Sequence, residues 1–186
     1  MWNRTTAPRE SLSGLDGLPL GMSRVAIISD THVPSRAAGL PEWVADELRR
    51  ADHTIHAGDF DSRRAYDRIE TLADDDLTCA RGNMDPAGLE LPSATALEID
   101  GVTFVVTHGT GSPDSWHERV AATTRAEASA DAVGVAGHTH EVVDTVVDGV
   151  RLLNPGSATA ASPATRETML VATVDDGDLE VGLLTG

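Results

Sequence analysis

Two short clusters in the sequence combine carboxylate and imidazole side chains at spacings that suit a metal ion. Asp30 and His32 are separated by one residue, and so are His138 and His140. Carboxylate oxygens and imidazole nitrogens are ligands that proteins commonly offer to Zn²⁺, Mn²⁺ and Fe²⁺. Gly137 precedes the second cluster, where it would let the backbone approach a cation closely. The chemistry that these residues indicate is metal-assisted catalysis.

Three further polar positions extend the set. Asp59 and Asn83 each follow a glycine, and His108 precedes one. Each alone has a simpler interpretation, because Asp and Asn often occupy turns or cap helices, and a histidine at a strand end can be half exposed. Taken together, the five clusters supply only oxygen and nitrogen ligands, which predicts one shared metal site. The candidate ligands are Asp30, His32, Asp59, Asn83, His108, His138 and His140.

The elements that would position these clusters are apolar strands that end just before them. Alternating strands and helices in the first half predict parallel crossovers, and Asp-Gly pairs in the second half predict hairpins. Open α/β sheets bind ligands beyond the carboxyl ends of their strands, where loops converge on a rigid base. The predicted strands are 25–28, 53–56, 77–80, 95–100, 102–107 and 132–136, with later hairpins turning at 148–149 and 175–178, and with helices opening at Pro41, at Asp61 or Ser62, and at Ser112.

The amino-acid sequences of the segments around the clusters indicate a protein family. The relevant segments are Ile28-Ser-Asp-Thr-His32, Ile55-His-Ala-Gly-Asp59, Arg81-Gly-Asn83, Thr107-His-Gly109, Gly137-His-Thr-His140 and Asn154-Pro-Gly-Ser157. In order and spacing they resemble the calcineurin-like metallophosphoesterase superfamily, and most closely its small archaeal and bacterial phosphodiesterases of the YfcE type. The resemblance extends from about Arg24 to the chain end. It implies a four-layer α/β/β/α sandwich, an α/β fold in which two mixed β-sheets are flanked by helices.

The resemblance also implies two divalent cations and assigns their ligands. One cation would be bound by Asp30, His32, Asp59 and His140, and the other by Asp59, Asn83, His108 and His138. Asp59 would bridge the pair, where its negative charge offsets the repulsion between two dications roughly 3.5–4 Å apart. Manganese is the first choice by analogy, and Fe, Zn, Co or Ni would also suit these ligands.

The activity implied by the resemblance is hydrolysis of phosphate esters, and of diesters in particular, by a hydroxide activated between two metals. Asp59, Asn83 and His108 would be the catalytic residues, and Asn83 and Arg81 would contact the substrate phosphate. Many larger members have a histidine directly after the Gly-Asn pair, where this chain has Met84. His56 and the segment 154–157 have simpler interpretations, as a core histidine and as a rigid turn.

The composition excludes several other chemistries. The chain has 14 Lys+Arg against 30 Asp+Glu, for a formal net charge of -16, and every basic residue is an arginine. Without lysine, neither a phosphate-binding P-loop nor Schiff-base catalysis can operate. The negative charge argues against nucleic acid or an anionic membrane as a general partner. We expect a small phosphate-ester substrate that meets a local positive centre, and a homo-oligomer is left open.

The acidic, lysine-free composition further predicts a halophilic protein of a salt-rich cytoplasm, where ions screen the repulsion among carboxylates. We therefore expect the midpoint of thermal unfolding to rise as KCl is raised toward roughly molar levels. A midpoint that does not respond to salt would contradict this. The cytoplasm is also the expected location because Cys79 is the only cysteine and no secretory or long apolar pattern is present.

The length indicates one domain, expected from residue 22 to residue 186. Residues 1–21 are rich in Gly, Pro, Ser and Thr and are expected to be a disordered tail or a misassigned start. The alternative function is a non-catalytic metal-binding scaffold for protein interactions, as in a retromer subunit of similar fold. A structural zinc domain would favour thiolate ligands, and a metallo-β-lactamase-like enzyme would need a His-x-His-x-Asp-His run, which is missing.

Overall fold

The computed structural model describes residues 21–128 and 131–186. Residues 1–20 lie outside that range, so the predicted tail stays a prediction. The strands, numbered along the chain, are β1 (Met22–Ile28), β2 (His53–His56), β3 (Leu77–Cys79), β4 (Ala94–Ile99), β5 (Val102–Thr107), β6 (Val133–Val135), β7 (Val142–Val147), β8 (Val150–Pro155), β9 (Thr168–Asp175) and β10 (Asp178–Thr185). The helices are α1 (Glu42–Arg50), α2 (Arg63–Leu72) and α3 (Trp116–Glu127).

The strands form two five-stranded mixed sheets. The first sheet has the order β10-β9-β1-β2-β3 and the second the order β4-β5-β6-β8-β7. In the first, β1, β2 and β3 are parallel, and β9 is antiparallel to both of its neighbours. In the second, β5, β6 and β8 are parallel, and β4 and β7 are added as antiparallel edges. The parallel crossovers and the hairpins that the sequence predicted are therefore confirmed.

The alternation of side chains along β1 shows how the layers are built. Val25 and Ile27 pack between the two sheets, against residues such as Phe104 of β5. Ala26 and Ile28 point the other way, into the layer formed by α1 and α2. The outer face of the second sheet is covered by α3, whose Trp116 is 1% exposed. Burial of each large aliphatic side chain stabilises the fold by roughly 1.5–3 kcal/mol. The four-layer sandwich is confirmed.

The helices follow the local signals of the sequence. In α2 the Ser62 side chain accepts a hydrogen bond from Ala65 N at 3.1 Å, so Ser62 rather than Asp61 is the N-cap. The helix predicted from Ser112 begins instead with a 3₁₀ turn, Pro113–Ser115, and becomes α-helical at Trp116. In the parts of the chain that the structure describes, every helix is too short or too polar to cross a bilayer.

Candidate metal centre

The loops that follow β1, β2, β3, β5 and β6 meet at one end of the sandwich. Asp30 N donates to Gly58 O at 3.0 Å, and His32 N donates to Asp59 O at 3.0 Å, which ties the first two loops together. Gly137 N donates to His108 O at 3.2 Å, and this joins the loops after β5 and β6. These backbone hydrogen bonds fix the loops relative to one another and to the strands that precede them. The side chains that the loops carry are therefore held at fixed positions.

Five of the seven predicted ligands have a left-handed backbone. The φ angles are 50° at Asp30, 46° at His32, 64° at Asp59, 75° at His138 and 59° at His140. A non-glycine residue in this region costs of order 1–3 kcal/mol and persists only where neighbouring contacts hold it. Such strain concentrates at functional sites, so its presence at these five positions indicates a site that the fold is built to hold.

Five side chains form one cluster, in which three imidazoles converge on the carboxylates of Asp30 and Asp59. Asp59 Oδ2 lies 3.5 Å from His32 Nε2 and 3.3 Å from His108 Nε2. Asp30 Oδ1 lies 3.3 Å from His140 Nε2, 3.8 Å from His32 Nε2 and 4.0 Å from His108 Nε2. All five side chains are buried. They form two overlapping groups with the spacing of metal ligands, one of Asp30, His32 and His140, the other of Asp30, Asp59 and His108.

The tautomer of each histidine follows from what its other ring nitrogen touches. His108 Nδ1 lies 2.7 Å from Ala57 O, and His140 Nδ1 lies 2.8 Å from Ala161 O. A carbonyl oxygen only accepts, so both Nδ1 atoms carry a proton and Nε2 is the nitrogen left to face a cation. His32 Nδ1 is likewise 3.0 Å from the Asp61 carboxylate. Orientation of a metal-binding imidazole by a carbonyl or carboxylate on its far nitrogen is the usual arrangement in proteins.

His56 provides an internal contrast. It is buried in the same region, but its Nδ1 accepts a hydrogen bond from Gly58 N at 3.0 Å and its Nε2 faces Thr31 Oγ1 at 3.3 Å. Both nitrogens are therefore used within the protein, and burial lowers the pKa of His56 to about 3. The predicted interpretation as a core histidine fits this geometry.

The Nε2 atoms of His32, His108 and His140 face each other and the carboxylates. His32 Nε2 and His140 Nε2 lie 3.2 Å apart, although neither carries a proton in the tautomers deduced above. His108 Nε2 is buried without a hydrogen-bond partner, since its approach to Asp59 is not aligned for one. Buried polar atoms of this kind are rare and costly. Divalent cations would satisfy all three nitrogens, so the residues fit the metal site that the sequence predicted.

The titration behaviour of the cluster reflects the same crowding. Burial raises the pKa of the Asp30 carboxyl above its ordinary value, against the opposing charge of His108. Burial acts in the same direction on Asp59, but the attraction of His108 outweighs it and the pKa of Asp59 is lowered. For His108, burial is outweighed by the attraction of Asp59 and Asp30, and its pKa rises to about 9. A bound cation would take the place of that proton.

Two glycines are required by close approach to these carboxylates. A Cβ atom added to Gly82 would overlap the carboxylate and backbone nitrogen of Asp59. One added to Gly137 would lie 2.5 Å from Asp30 Oδ2 and 2.7 Å from Ser29 Oγ. Both glycines stand next to predicted ligands in the sequence, and their role here is to make room rather than to supply a turn.

Asp85 is a buried residue of the site that sequence reasoning missed. Its Oδ1 accepts hydrogen bonds from Phe60 N at 2.6 Å and Asp61 N at 3.1 Å, and its Oδ2 accepts from Asp59 N at 3.0 Å and Gly82 N at 2.8 Å. One carboxylate thus joins the loop after β2 to the loop after β3. Three successive backbone N–H groups form an anion-binding nest around it. The spacing Gly-Asn-x-Asp was the only signal in the sequence.

The segment 154–157 also does more than the rigid turn proposed from its Pro and Gly. Asn154 Nδ2 donates to Gly137 O and to Thr139 Oγ1, each at 3.0 Å, and holds the loop between the two histidines of that cluster. Ser157 Oγ donates to Asp30 O at 2.8 Å and accepts from Ala161 N at 2.9 Å. Both side chains are 0% exposed. They position the ligand loops from the second sheet.

Three predicted site residues lie at the border of the cluster. His138 is partly exposed and uses Nε2 to contact Gly111 O at 2.8 Å, and its ring centroid is 5.2 Å from that of His108. Asn83 is exposed, but Met84 N beside it donates to Asp59 Oδ1 at 2.8 Å, which keeps the Asn83 backbone close to Asp59. Arg81 is exposed on the same loop. Their roles as ligands or substrate contacts remain predictions.

Comparison with known proteins agrees with this architecture. Residues 23–177 match the calcineurin-like phosphoesterase superfamily domain. A probable metallophosphoesterase of Methanothermobacter thermautotrophicus is 34% identical over 163 residues, 86% of this chain and 91% of that protein. The structure of vacuolar protein sorting 29 from Cryptosporidium parvum superposes with a TM-score of 0.70 at 19% identity, covering 89% of this chain and 98% of the other.

A structure described as a novel archaeal phosphodiesterase superposes with a TM-score of 0.65 at 23% identity. The superposition covers 87% of this chain and 99% of the phosphodiesterase chain. These two likenesses show the shared fold, whereas the match along 23–177 covers most of the chain and shows descent. The chain therefore belongs to the calcineurin-like phosphoesterase superfamily, a family of metal-dependent hydrolases of phosphate esters.

Proposed function

We propose that this protein is a phosphodiesterase that binds two divalent cations at the centre described above. The observation that carries the proposal is the convergence of the buried Nε2 atoms of His32, His108 and His140 on the carboxylates of Asp30 and Asp59. Hydrogen bonds on the far nitrogens prevent these rings from satisfying one another. The likeness to an archaeal phosphodiesterase supports the choice of a diester.

The proposed ligand sets are those that the family resemblance implies, and the positions of five of the side chains support them. Asp59 Oδ2 is close to both His32 and His108, which supports a bridging role for this carboxylate. The first set would be Asp30, His32, Asp59 and His140, and the second Asp59, Asn83, His108 and His138. The proton that each imidazole donates to Ala57, Asp61 or Ala161 leaves its other nitrogen as a neutral ligand. Manganese is the proposed metal, with Fe, Zn, Co and Ni as the alternatives that such ligands accept.

The chain's own residues would bind the substrate and keep the site compact. Cations held here would supply Lewis acidity and an activated water nucleophile. Asn83 would donate its amide hydrogens to a phosphate oxygen, and Arg81, exposed on the same loop, would attract the anion. In a chain of net charge -16, a local positive centre is what an anionic ester needs to approach.

A hydrolysis assay tests the proposal. Bis(p-nitrophenyl) phosphate and p-nitrophenyl phosphate would each be offered to the metal-free protein supplemented with Mn²⁺, Fe²⁺, Zn²⁺, Co²⁺ or Ni²⁺, at low and high KCl. We expect turnover that requires metal, with the diester hydrolysed faster than the monoester. A faster monoester reaction would contradict the diesterase assignment, and the same rate with and without metal would contradict the metal centre.

The residue after Asn83 predicts a dependence on the leaving group. Met84 is 44% exposed beside the site and has no proton to give, whereas an alkoxide must be protonated as it departs. We expect aryl diesters to react at least about a hundredfold faster than dialkyl diesters, because general acid catalysis typically contributes that much or more. The measurement is kcat/KM for bis(p-nitrophenyl) phosphate and for methyl p-nitrophenyl phosphate against dimethyl phosphate. Equal rates would show that another group supplies the proton.

A second candidate function is a non-catalytic, metal-binding scaffold for protein interactions. It is favoured by the likeness to vacuolar protein sorting 29, with a TM-score of 0.70. A metal-binding scaffold would use the buried cluster as well, so the cluster fits both functions. The chain keeps ligand-type residues at all seven positions of the family pattern, which favours the enzyme. Turnover that stays at background with every metal and both esters, while a metal still raises the unfolding temperature, would favour the scaffold.

A further inference from the structure

A cavity of about 560 Å³ lies between the segment 33–40, the beginning of α1 and one face of α2. Its volume falls within the roughly 300–1,000 Å³ of small-molecule sites. It belongs to the outer layer of the first sheet and none of the seven predicted metal ligands lines it. The residues that line it are Thr31, Val33, Pro34, Ala38, Gly39, Leu40, Ala45, Ser62, Arg64, Ala65, Arg68 and Ile69.

The wall of the cavity is mostly apolar, but two arginines stand on its α2 side. Arg64 and Arg68 are four residues apart, so they lie one above the other on the same face of the helix. Within residues 21–128 and 131–186, neither guanidinium forms an ion pair with a carboxylate. Their neighbour Arg63 does, at 3.8 Å from Asp67, and it also donates to Gly88 O at 2.9 Å.

This concentration of positive charge is unusual for the chain. Acidic residues outnumber basic ones by 30 to 14, yet the first turn of α2 holds no acidic residue and begins Arg63-Arg64. Helices normally place carboxylates there because the N-terminal end of the helix dipole is positive. The arginines add to that positive potential instead of offsetting it. The α2 side of the cavity therefore carries positive charge that would attract an anion.

We propose that the cavity is a binding site for a small organic anion with an apolar body. The apolar part would lie against Val33, Leu40 and Ile69, and the carboxylate, sulfonate or phosphate group would be held by Arg64 and Arg68. Two guanidinium groups one helical turn apart can share a single anionic group through charged hydrogen bonds.

The site is adjacent to the metal centre without being part of it. Thr31, which lines the cavity, stands between Asp30 and His32 in the chain. Ser62 Oγ donates to Val33 O at 2.8 Å, and Ser35 donates to Asp61, the carboxylate that orients His32. The ligand contacts proposed here do not involve the cations, so binding can be tested on metal-free protein and its outcome is independent of turnover.

The test uses 1-anilinonaphthalene-8-sulfonate, an aromatic body with one sulfonate, as a fluorescent probe of the full-length protein. A neutral analogue, N-phenyl-1-naphthylamine, reports on the apolar part alone. The variant Arg64→Gln/Arg68→Gln removes the proposed anion contact at exposed positions, where the fold tolerates it. Arg63→Gln is the matched control, since it neutralises an arginine on the same helix that does not line the cavity.

We expect one sulfonate probe to bind per chain, and the double variant to weaken it at least tenfold. Arg63→Gln should change the affinity less than threefold, and the neutral analogue should bind the double variant and the native protein equally. Octanoate should displace the probe, whereas inorganic phosphate at the same concentration should not. The proposal fails if Arg63→Gln weakens the probe as much as the double variant, if inorganic phosphate competes as well as octanoate, or if the native protein does not bind the probe.

Discussion

Asp59→Asn is expected to reduce metal-dependent hydrolysis of bis(p-nitrophenyl) phosphate by roughly a thousandfold, the upper end of what one preorganised electrostatic group contributes. The substitution keeps the size of the side chain but removes the charge between His32 and His108. Asparagine Oδ1 can still accept the hydrogen bond that Met84 N now gives to Asp59 Oδ1 at 2.8 Å. The loop geometry should therefore persist while the bridge is lost.

The unfolding temperature of the Asp59→Asn variant shows whether the substitution removes only the carboxylate shared by the two cations or also disrupts the fold. The new amide would stand where Asp59 Oδ2 lies, 3.5 Å from His32 Nε2 and 3.3 Å from His108 Nε2, and could donate to the lone pair of His32 Nε2. We expect the metal-free variant to remain folded but to unfold at a lower temperature than the native protein near neutral pH, because the attraction between the Asp59 carboxylate and His108 is lost. Its increase in unfolding temperature on adding Mn²⁺ should be much smaller, because stabilisation by a ligand scales with its affinity for the folded state.

The matched control is Asp67→Asn, which removes one carboxylate from the exposed face of α2. It should leave turnover and the response to metal unchanged. If Asp59→Asn kept more than about a tenth of native turnover with saturating metal, Asp59 would not be a shared ligand, since losing it costs far more than that. If chelation of all metal from the native protein left hydrolysis unchanged, the metal centre itself would be excluded.

The sequence predicted the framework of this site well, because the framework depends on local pattern. The run Val25–Ile28 is apolar on both faces, as a strand between two covered layers must be. Each of the five clusters follows such a strand, and parallel strands bring their carboxyl ends to one edge. The convergence of Asp30, Asp59 and His108 could therefore be expected before any distance was known.

What the sequence could not show is the layer of residues that holds the ligands in place. This layer includes Asp85, Asn154 and Ser157, which form hydrogen bonds with backbone groups. Every residue has the same backbone groups, so the sequence does not show which of them a side chain will bind. Their partners are also distant in the chain: Ser157 Oγ bonds Asp30 O across 127 residues. Asp61 was considered only as a helix cap, whereas its carboxylate orients His32.

Element ends show the same dependence on tertiary contacts. β1 was predicted from Val25, but it begins at Met22 because Met22, Ser23 and Arg24 pair with Asp175, Val174 and Thr173 of β9. Met22 is the only apolar residue of the three, so no apolar run marks them as a strand. Pairing with a partner roughly 150 residues away in sequence decides their conformation, which is why strand ends are the least predictable part of such a fold.

Asp85→Asn is expected to lower the free energy of unfolding by roughly 3 kcal/mol, because hydrogen bonds to a buried charge contribute about 1.5–3 kcal/mol each and two would be lost. Asp85 is 5% exposed and its two oxygens each accept from two backbone N–H groups. An amide can present an oxygen on one side only. Whichever way the asparagine turns, its NH₂ group faces two donors, either those of Asp59 and Gly82 or those of Phe60 and Asp61.

The consequence for the metal centre distinguishes a positioning residue from a merely structural one. Asp85 fixes the backbone of Asp59 and brings Gly82 against the Asp59 carboxylate. We expect the variant to bind Mn²⁺ about 10–100-fold more weakly, as is usual when support of a ligand is lost, while kcat at saturating metal falls much less. Asp52→Asn is the control, because Asp52 is exposed and accepts one backbone hydrogen bond, from Arg24 N at 2.8 Å, away from the site.

A loss of stability with unchanged metal affinity, measured by titration below the unfolding temperature, would show that Asp85 only closes a turn. A loss of both, absent from Asp52→Asn, would establish that the strained loop after β2 depends on this one buried carboxylate.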